Sequence, residues 1–394
     1  MSKTLACQVS PGEVWAALEE DRELIGLRVA RDGDADIVGG VFLGRIVALR
    51  PELPAVLIDI GIDRPGFLDA RDVDRKRGIE GLTEGQALIV EVTKAARTDK
   101  AAGLRVLRAS DQRRESLEDA ARNAMPPQRL DQPEPAILRA VKPLLRDDVE
   151  RILIDERGAL MALRRSHPEL AGRLIFHGDG TLPFEALGIA EQLDAVLQPR
   201  VALPGGGAIF IEASHVATMI DVDSGTRGAL AANRAATAAI ARQIALRNLA
   251  GPIVIDFVGM KSGDERDKVR DALKAALADK TLELLGWTKL GHFELIRPRR
   301  EPALAELLFE QAADGTMRKT ALTLALEALR SLAHEAAARP GKRFALAVHP
   351  DIAAAFDQGA GQAARHWLEA RLGRTLAVTA EPQRARDAID IRAA

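Results

Sequence analysis

Hydrophobic and polar positions along the chain change rhythm several times, and each change marks a different kind of element. Residues 3–31 read as strand, helix, strand, with Ser10-Pro11-Gly12-Glu13 as the helix start and the second strand, 23–29, ending at the turn Arg31-Asp32-Gly33-Asp34. From 40 to 95 short runs of Val, Ile and Leu follow one another at 41–49, 55–60, 66–68 and 87–92, punctuated by Gly, Pro and Asp. Closely spaced strands without a long helix predict a small antiparallel barrel. A basic stretch follows (Lys94, Arg97, Lys100, Arg105, Arg108, Arg113, Arg114), read equally as a solvated linker or a nucleic-acid contact. Residues 115–135, with Pro126-Pro127, Pro133 and Pro135, form the best linker candidate.

Beyond it, helices at 135–145, 157–163 and 184–195 alternate with strands at 151–154 and 174–177, an α/β rhythm. Strands at 208–212 and 216–222 precede a long helix at 229–249. A continuous apolar strand at 253–258 then carries one carboxylate, Asp256. A helix at 264–278 and strands at 282–287 and 292–297 complete that module. The end of the chain reads as a separate small α/β module: helix 317–338, strand 343–348, helices 352–356 and 361–372, strand 376–379.

At 394 residues the chain calls for two to four modules rather than one core. Its 47% apolar and 28% charged residues describe a folded, soluble chain. A net charge of −2 neither supports nor excludes nucleic acid, because phosphate affinity depends on local Lys and Arg. With 3% aromatics and no Tyr, any base-stacking surface is sparse. The one cysteine, Cys7, excludes an internal disulfide and a cysteine-built zinc site, and it suits a reducing compartment. The N-terminus lacks a secretory pattern, and no apolar run reaches the roughly 18 residues of a membrane span. A cytoplasmic location is therefore expected.

Chemistry is concentrated in two strands. In Met219-Ile220-Asp221-Val222-Asp223 the alternation puts Asp221 and Asp223 on one face. Asp256 sits among β-branched residues in PIVIDFVGM. Carboxylates in such apolar company need a cation or donors. Should the two strands be neighbours, three carboxylates converge, as magnesium-assisted phosphodiester hydrolysis uses them. The same residues serve as well as helix caps or salt-bridge partners. Gly205-Gly206-Gly207 lacks the Gly-Lys-Ser/Thr of a phosphate loop and reads as a tight turn. Phe42 and Phe67 in the barrel either stack bases or fill the core, Phe67 being the one expected at the surface. Arg297, Arg299 and Arg300 form a basic knot near the end of the third module.

The stretches GGGAIFIEASHVATMIDVDSGTRG, IARQIALRNLAGPIVIDFVGM and LGHFELIRPR resemble the DNase I-like catalytic subdomain of the ribonuclease E/G family. GGVFLGRIVALRPELPAVLIDIGIDRPGFLDARDV resembles that family's S1 RNA-binding barrel, and the flanking segments resemble the two halves of its RNase H-like subdomain. The resemblance implies a multi-domain α/β chain: an RNase H-like domain (1–36 and 136–200) interrupted by an S1, OB-type barrel (37–104) and a linker (105–135), then a DNase I-like domain (201–310) and a small C-terminal α/β domain (311–394). It implies Mg²⁺ on Asp221 and Asp256, with Asp223 at a position that is typically Asn and orients them. Phe67, Arg97 and Lys100 match positions that hold single-stranded RNA. The implied activity is endonucleolytic hydrolysis of single-stranded RNA, leaving a 5′-phosphate and a 3′-hydroxyl.

Several departures shape these expectations. Residues 101–135 are too few for the family's 5′-monophosphate sensor. The CPxCxG zinc-link is missing around residues 310–315, so zinc is not expected and a homodimer is left open. Asp223 adds a charge, and Ala235 stands where the family usually has Glu. The rival expectations are a non-catalytic RNA-binding or ribosome-associated protein of the same fold, and a DNA endonuclease.

Overall fold

A computed structural model describes residues 3–32, 37–50, 52–73, 78–94, 96, 101–107, 113–178, 180–214, 216–277, 281–299 and 301–393. The chain divides into two compact units: residues 1–31 with 136–394, and residues 32–135. No helix among the described residues is long and apolar enough to cross a membrane.

The chain opens with an antiparallel meander, β1 (Lys3–Ser10), β2 (Glu13–Glu20) and β3 (Glu23–Arg31). The expected helix after Ser10 is therefore a strand. Pro11 and Gly12 form the two-residue link of a hairpin whose last pair is Ser10 with Glu13. Gly12 has φ +76°, the left-handed value that the third position of a Pro-Gly turn requires. The strand was hidden because β2 is buried on both faces. Val14, Ala16 and Leu18 enter one core, while Ala17 enters another with Leu24, Leu27 and Phe184. Burial on both sides erases the period-2 alternation, and Ala, Leu and Glu then mimic a helix.

The second unit is a closed barrel. Its strands are β4 (Val41–Arg50), β5 (Ala55–Asp59), β6 (Gly66–Asp69), β7 (Ala87–Lys94), β8 (Gly103–Val106) and β9 (Gln128–Arg129), with helices α1 (Ala70–Val73) and α2 (Arg114–Arg122). Five strands run in the order β5-β6-β8-β7-β4, and pairing of β4 with β5 closes the ring, an arrangement consistent with an S1/OB-type domain. Ile46, Val56, Ile58, Leu68, Val90, Val92 and Leu104 fill it. The basic stretch after residue 93 contains β8, and Arg105 there is paired with Glu91 at 2.6 Å. The segment expected as a linker carries α2, whose Leu117 packs with Val41 and Leu107, and β9, which pairs with β4.

The first unit resumes with α3 (Ala136–Val141), β10 (Val149–Ile154), α4 (Arg157–Ser166), β11 (Leu174–Phe176), α5 (Pro183–Ala186) and α6 (Ala190–Ala195). Strand β10 lies parallel to both β1 and β11, giving a five-stranded sheet ordered β11-β10-β1-β2-β3. A second, six-stranded sheet follows: β12 (Arg200–Ala202), β13 (Ala208–Ala213), β14 (Thr218–Asp223), β15 (Gly251–Asp256), β16 (Glu283–Trp287) and β17 (Phe293–Arg297), in the order β12-β13-β14-β15-β17-β16. Its helices are α7 (Ala229–Leu246) and α8 (Gly263–Ala276). Helix α7 is apolar on more than one side because both sheets use it. Ala236, Ile240 and Ile244 join the core of the six-stranded sheet, and Leu246 joins Leu24 and Leu27 of the first. Arg242 Nε donates to Leu24 O at 2.7 Å, and Arg28 donates to Ala245 O at 2.9 Å.

The remainder comprises α9 (Leu304–Leu308), the hairpin β18 (Phe309–Gln311) and β19 (Met317–Lys319), α10 (Ala321–Ala338), β20 (Phe344–Val348), α11 (Pro350–Ala355), α12 (Gly359–Leu372), β21 (Ala377–Ala380) and β22 (Asp390–Ala393). A buried ionic knot ties α10 to the first sheet. Glu13 accepts from Arg31 at 3.1 Å and from Arg330, and Arg31 also donates to Thr323 Oγ1 at 3.0 Å and to Leu307 O at 2.9 Å. Burial of Glu13 and Arg31 is tolerated because each is paired and hydrogen-bonded, whereas the half-buried Arg330 leaves its Nε without a hydrogen-bond partner among the described residues.

Asp155, just after β10, supplies a test of this packing. Burial pushes its carboxyl up from the usual 3.8 to about 6, although the Val9 N–H, donating at 2.8 Å, opposes the rise. The folded chain therefore binds this proton more tightly than the unfolded chain. The group's contribution is favourable below about pH 4 and is lost as pH rises through 6. Asp155→Asn keeps an acceptor for Val9 and carries no charge. Urea unfolding is expected to show the variant gaining on wild type by roughly 1–3 kcal/mol between pH 4 and pH 7. An unchanged difference across that range contradicts the assignment.

Candidate active site

Two strands distant in sequence meet through a βαβ crossover. β14 leads into α7, which returns the chain to β15 parallel to β14. The register pairs Ile220 with Ile255 and Asp221 with Asp256. Ile220 and Ile255 point into the core against α7, so both aspartates point to the opposite, open face. Neighbouring strands lie roughly 4.8 Å apart, which brings the two carboxylates within reach of one small cation. Asp256 is the last residue of β15 and is exposed, rather than lying inside the strand as the apolar run suggested.

Asp221 and Asp256 line an open cleft of about 550 Å³ together with Phe210, Asp223, Ser224, Phe257 and Val258. No Lys or Arg among the described residues pairs with either aspartate. Among the described residues the one basic side chain set against them is His292, whose Nε2 is 3.9 Å from Asp256 Oδ1. Asp223 shares the face of Asp221 two residues further on, where its Oδ1 accepts from the Gly225 N–H at 2.9 Å. Three carboxylates thus do not gather at one point. Among the described residues no group of three or more His, Cys, Asp or Glu side chains is placed to hold a metal ion. The site offers an opposed pair of carboxylates with a third beside it.

The surroundings hold the pair in place. Asn233, fully buried on α7, clamps the chain beyond Asp256: its amide donates to Val258 O at 2.8 Å and accepts from Val258 N at 3.0 Å. Gly207 stands where a Cβ would meet the main-chain oxygen of Asp223 at 2.4 Å, so the glycine turn lets β13 begin against the end of β14. Phe257, Trp287 and Phe293 pack edge-on beneath the cleft, with ring centroids 5.1–6.4 Å apart. The arginine knot is structural: Arg297 donates to Asn248 Oδ1 and Leu249 O at 2.9 Å, and Arg299 pairs with Glu306 at 2.7 Å. Arg300 lies outside the described residues.

In the barrel unit, Phe67 stands on β6 between buried Gly66 and Leu68 and is 36% exposed. Phe42 is 5% exposed and belongs to the core, with the Arg129 guanidinium 5.6 Å over its ring. Arg97 and Lys100 lie outside the described residues. Three residues in or beside the cleft went unnoticed in the sequence: Phe210, which lines it, His292, which approaches Asp256, and Asn233, which holds Val258 from the core. Only Phe210 carried a signal, since the alternation of AIFIEA buries Ile209 and Ile211 and turns the phenyl outward.

Comparison with known proteins gives a consistent result. The sequence profile of the Ribonuclease E/G family matches residues 74–300. Ribonuclease G of Haemophilus influenzae is 26% identical over 424 aligned residues, covering 83% of this chain and 86% of that protein. Ribonuclease G of Escherichia coli K12 is 25% identical over 489 residues, covering 99% of each. Ribonuclease E of Escherichia coli K12 is 26% identical over 433 residues, covering 85% of this chain and 41% of that protein, so the chain spans well under half the length of ribonuclease E.

Proposed function

Because this chain belongs to the ribonuclease E/G family, we propose that it is an endoribonuclease that hydrolyses single-stranded RNA at the Asp221–Asp256 cleft with the help of Mg²⁺. The observation carrying this reading is the register that sets the two carboxylates opposite each other on an open sheet face. The donor set fits the ion. It is all oxygen, it is exposed, it is not consumed by Lys or Arg among the described residues, and Mg²⁺ keeps several waters and needs only one or two protein carboxylates. When bound, the ion activates water and offsets charge developing on the phosphate.

The residues of the chain then have separable tasks. Asp221 and Asp256 would hold the ion from two neighbouring strands. Asn233 keeps the turn after Asp256 from shifting, and Asp223, tied to Gly225, adds negative charge at the rim. The oxygen of a water bonds to phosphorus as the P–O3′ bond breaks, a proton given up by the water ends on O3′, and the fragments carry a 3′-hydroxyl and a 5′-phosphate. We read the five-stranded sheet as the RNase H-like domain, the barrel as the S1 domain and the six-stranded sheet as the DNase I-like domain. The barrel would grip RNA through the exposed ring of Phe67.

Cleavage of a labelled single-stranded oligoribonucleotide in Mg²⁺ tests the reading. Wild type is expected to cut it, Asp221→Asn and Asp256→Asn each to abolish cutting, and a fully deoxyribose version to resist. Binding without cleavage by wild type overturns the enzymatic reading. For the barrel, Phe67→Ala is expected to weaken RNA binding by about 1–3 kcal/mol while leaving the unfolding midpoint nearly unchanged. Equal affinity in a fluorescence anisotropy titration removes Phe67 from the RNA path.

A further inference from the structure

The open face of the six-stranded sheet carries one continuous row of side chains across four strands. Arg200 of β12 pairs with Phe210 of β13, Phe210 with Asp221 of β14, and Asp221 with Asp256 of β15. Paired residues share a face, so a cation, a phenyl ring and two carboxylates stand side by side at strand spacing. Phe210 is 37% exposed and lines the same cleft as the aspartates. Its ring belongs to none of the aromatic contacts beneath the cleft, which join Phe257, Trp287 and Phe293. Arg200 is exposed as well, and no carboxylate among the described residues pairs with it.

A phenyl standing between a guanidinium and a carboxylate pair gains less from burial in the free protein than a core ring does. More than a third of it is open to solvent, with charged groups on the strands to either side. The order of groups matches the order along one nucleotide step: a cation-held phosphate at the aspartates, a flat base, then the next phosphate. We propose that Phe210 and Arg200 form a nucleotide subsite next to the scissile bond, with Phe210 stacking the neighbouring base and Arg200 contacting the phosphate beyond it. Bases have π-faces that stack on an aromatic ring whatever their sequence, and Arg neutralises a phosphate wherever it lies, so the subsite would set the position of the strand without choosing its sequence. Met219 and Ile296 are exposed on the same face but fall outside this row, so apolar exposure alone does not single out Phe210. The proposal rests on the reading of the cleft as a ribonuclease site.

The test measures binding apart from cleavage. A short labelled oligoribonucleotide is titrated with wild type, Phe210→Ala, Phe210→Trp and Arg200→Ala in Ca²⁺, by fluorescence anisotropy, and a series of oligonucleotides carries one abasic residue at successive positions. Phe210→Ala is expected to weaken binding by about 5- to 150-fold, and Phe210→Trp to preserve it. One abasic position should weaken wild type similarly and have no further effect on Phe210→Ala, the non-additivity of two changes that remove the same contact. Arg200→Ala should lower the slope of log affinity against log salt by about 0.7, one phosphate contact on a single strand. Affinities of Phe210→Ala within about twofold of wild type, or additive effects at every abasic position, overturn the proposal. So does a Phe210→Ala variant that binds RNA normally but sediments differently, which makes this face a contact between protein copies. Failure of wild type to cleave in Mg²⁺ bears on the enzymatic reading alone, because the binding results stand without it.

Discussion

Main-chain hydrogen bonding between two parallel strands is the constraint on which the candidate site depends. β14 and β15 are brought together by the crossover through α7, and their register sets Asp221 beside Asp256. A slip of one residue would turn one aspartate into the core and one isoleucine out to solvent. The hydrophobic pattern forbids that slip, since Ile220, Ile253 and Ile255 are almost wholly buried beneath α7. The apolar side of the sheet thereby fixes the polar side, and one pairing sets both the core and the position of the two carboxylates.

The neighbouring structure prevents this geometry from relaxing. Two carboxylates on adjacent strands repel each other, and a free chain end beyond Asp256 would swing away. Asn233 blocks that motion by engaging both main-chain groups of Val258 from inside the core. The glycine turn lets β13 close up against the other side of β14. Helix α7 does the crossing and is itself held between two sheets, through Arg242 and Arg28 as well as apolar contacts.

Much of this was legible in the sequence where one face of an element is buried and the other is open. The alternation in TMIDVD revealed the shared face of Asp221 and Asp223, and four barrel strands stood out as short apolar runs. Legibility failed where burial is two-sided or where pairing is long-range. β2 looked helical because both its faces are covered. β8 was obscured by its place in a basic stretch, and the partner of its own Arg105, Glu91, lies on another strand. The turn that holds Asp223 could not be read either: its carboxylate accepts from the Gly225 N–H while lining the same cleft as Asp221 and Asp256. Asn233 is a polar residue in an Ala-rich helix, and only the fold shows what its amide holds.

The account stands or falls on whether the opposed aspartates bind a divalent ion before any RNA arrives. Mn²⁺ prefers the same oxygen ligands as Mg²⁺ and can be followed directly by electron paramagnetic resonance. Titration of wild type is expected to show a Mn²⁺ site that Mg²⁺ displaces and that disappears in the Asp221→Asn/Asp256→Asn double variant, with the circular dichroism spectrum unchanged. Equal Mn²⁺ binding by the folded double variant and wild type would contradict it.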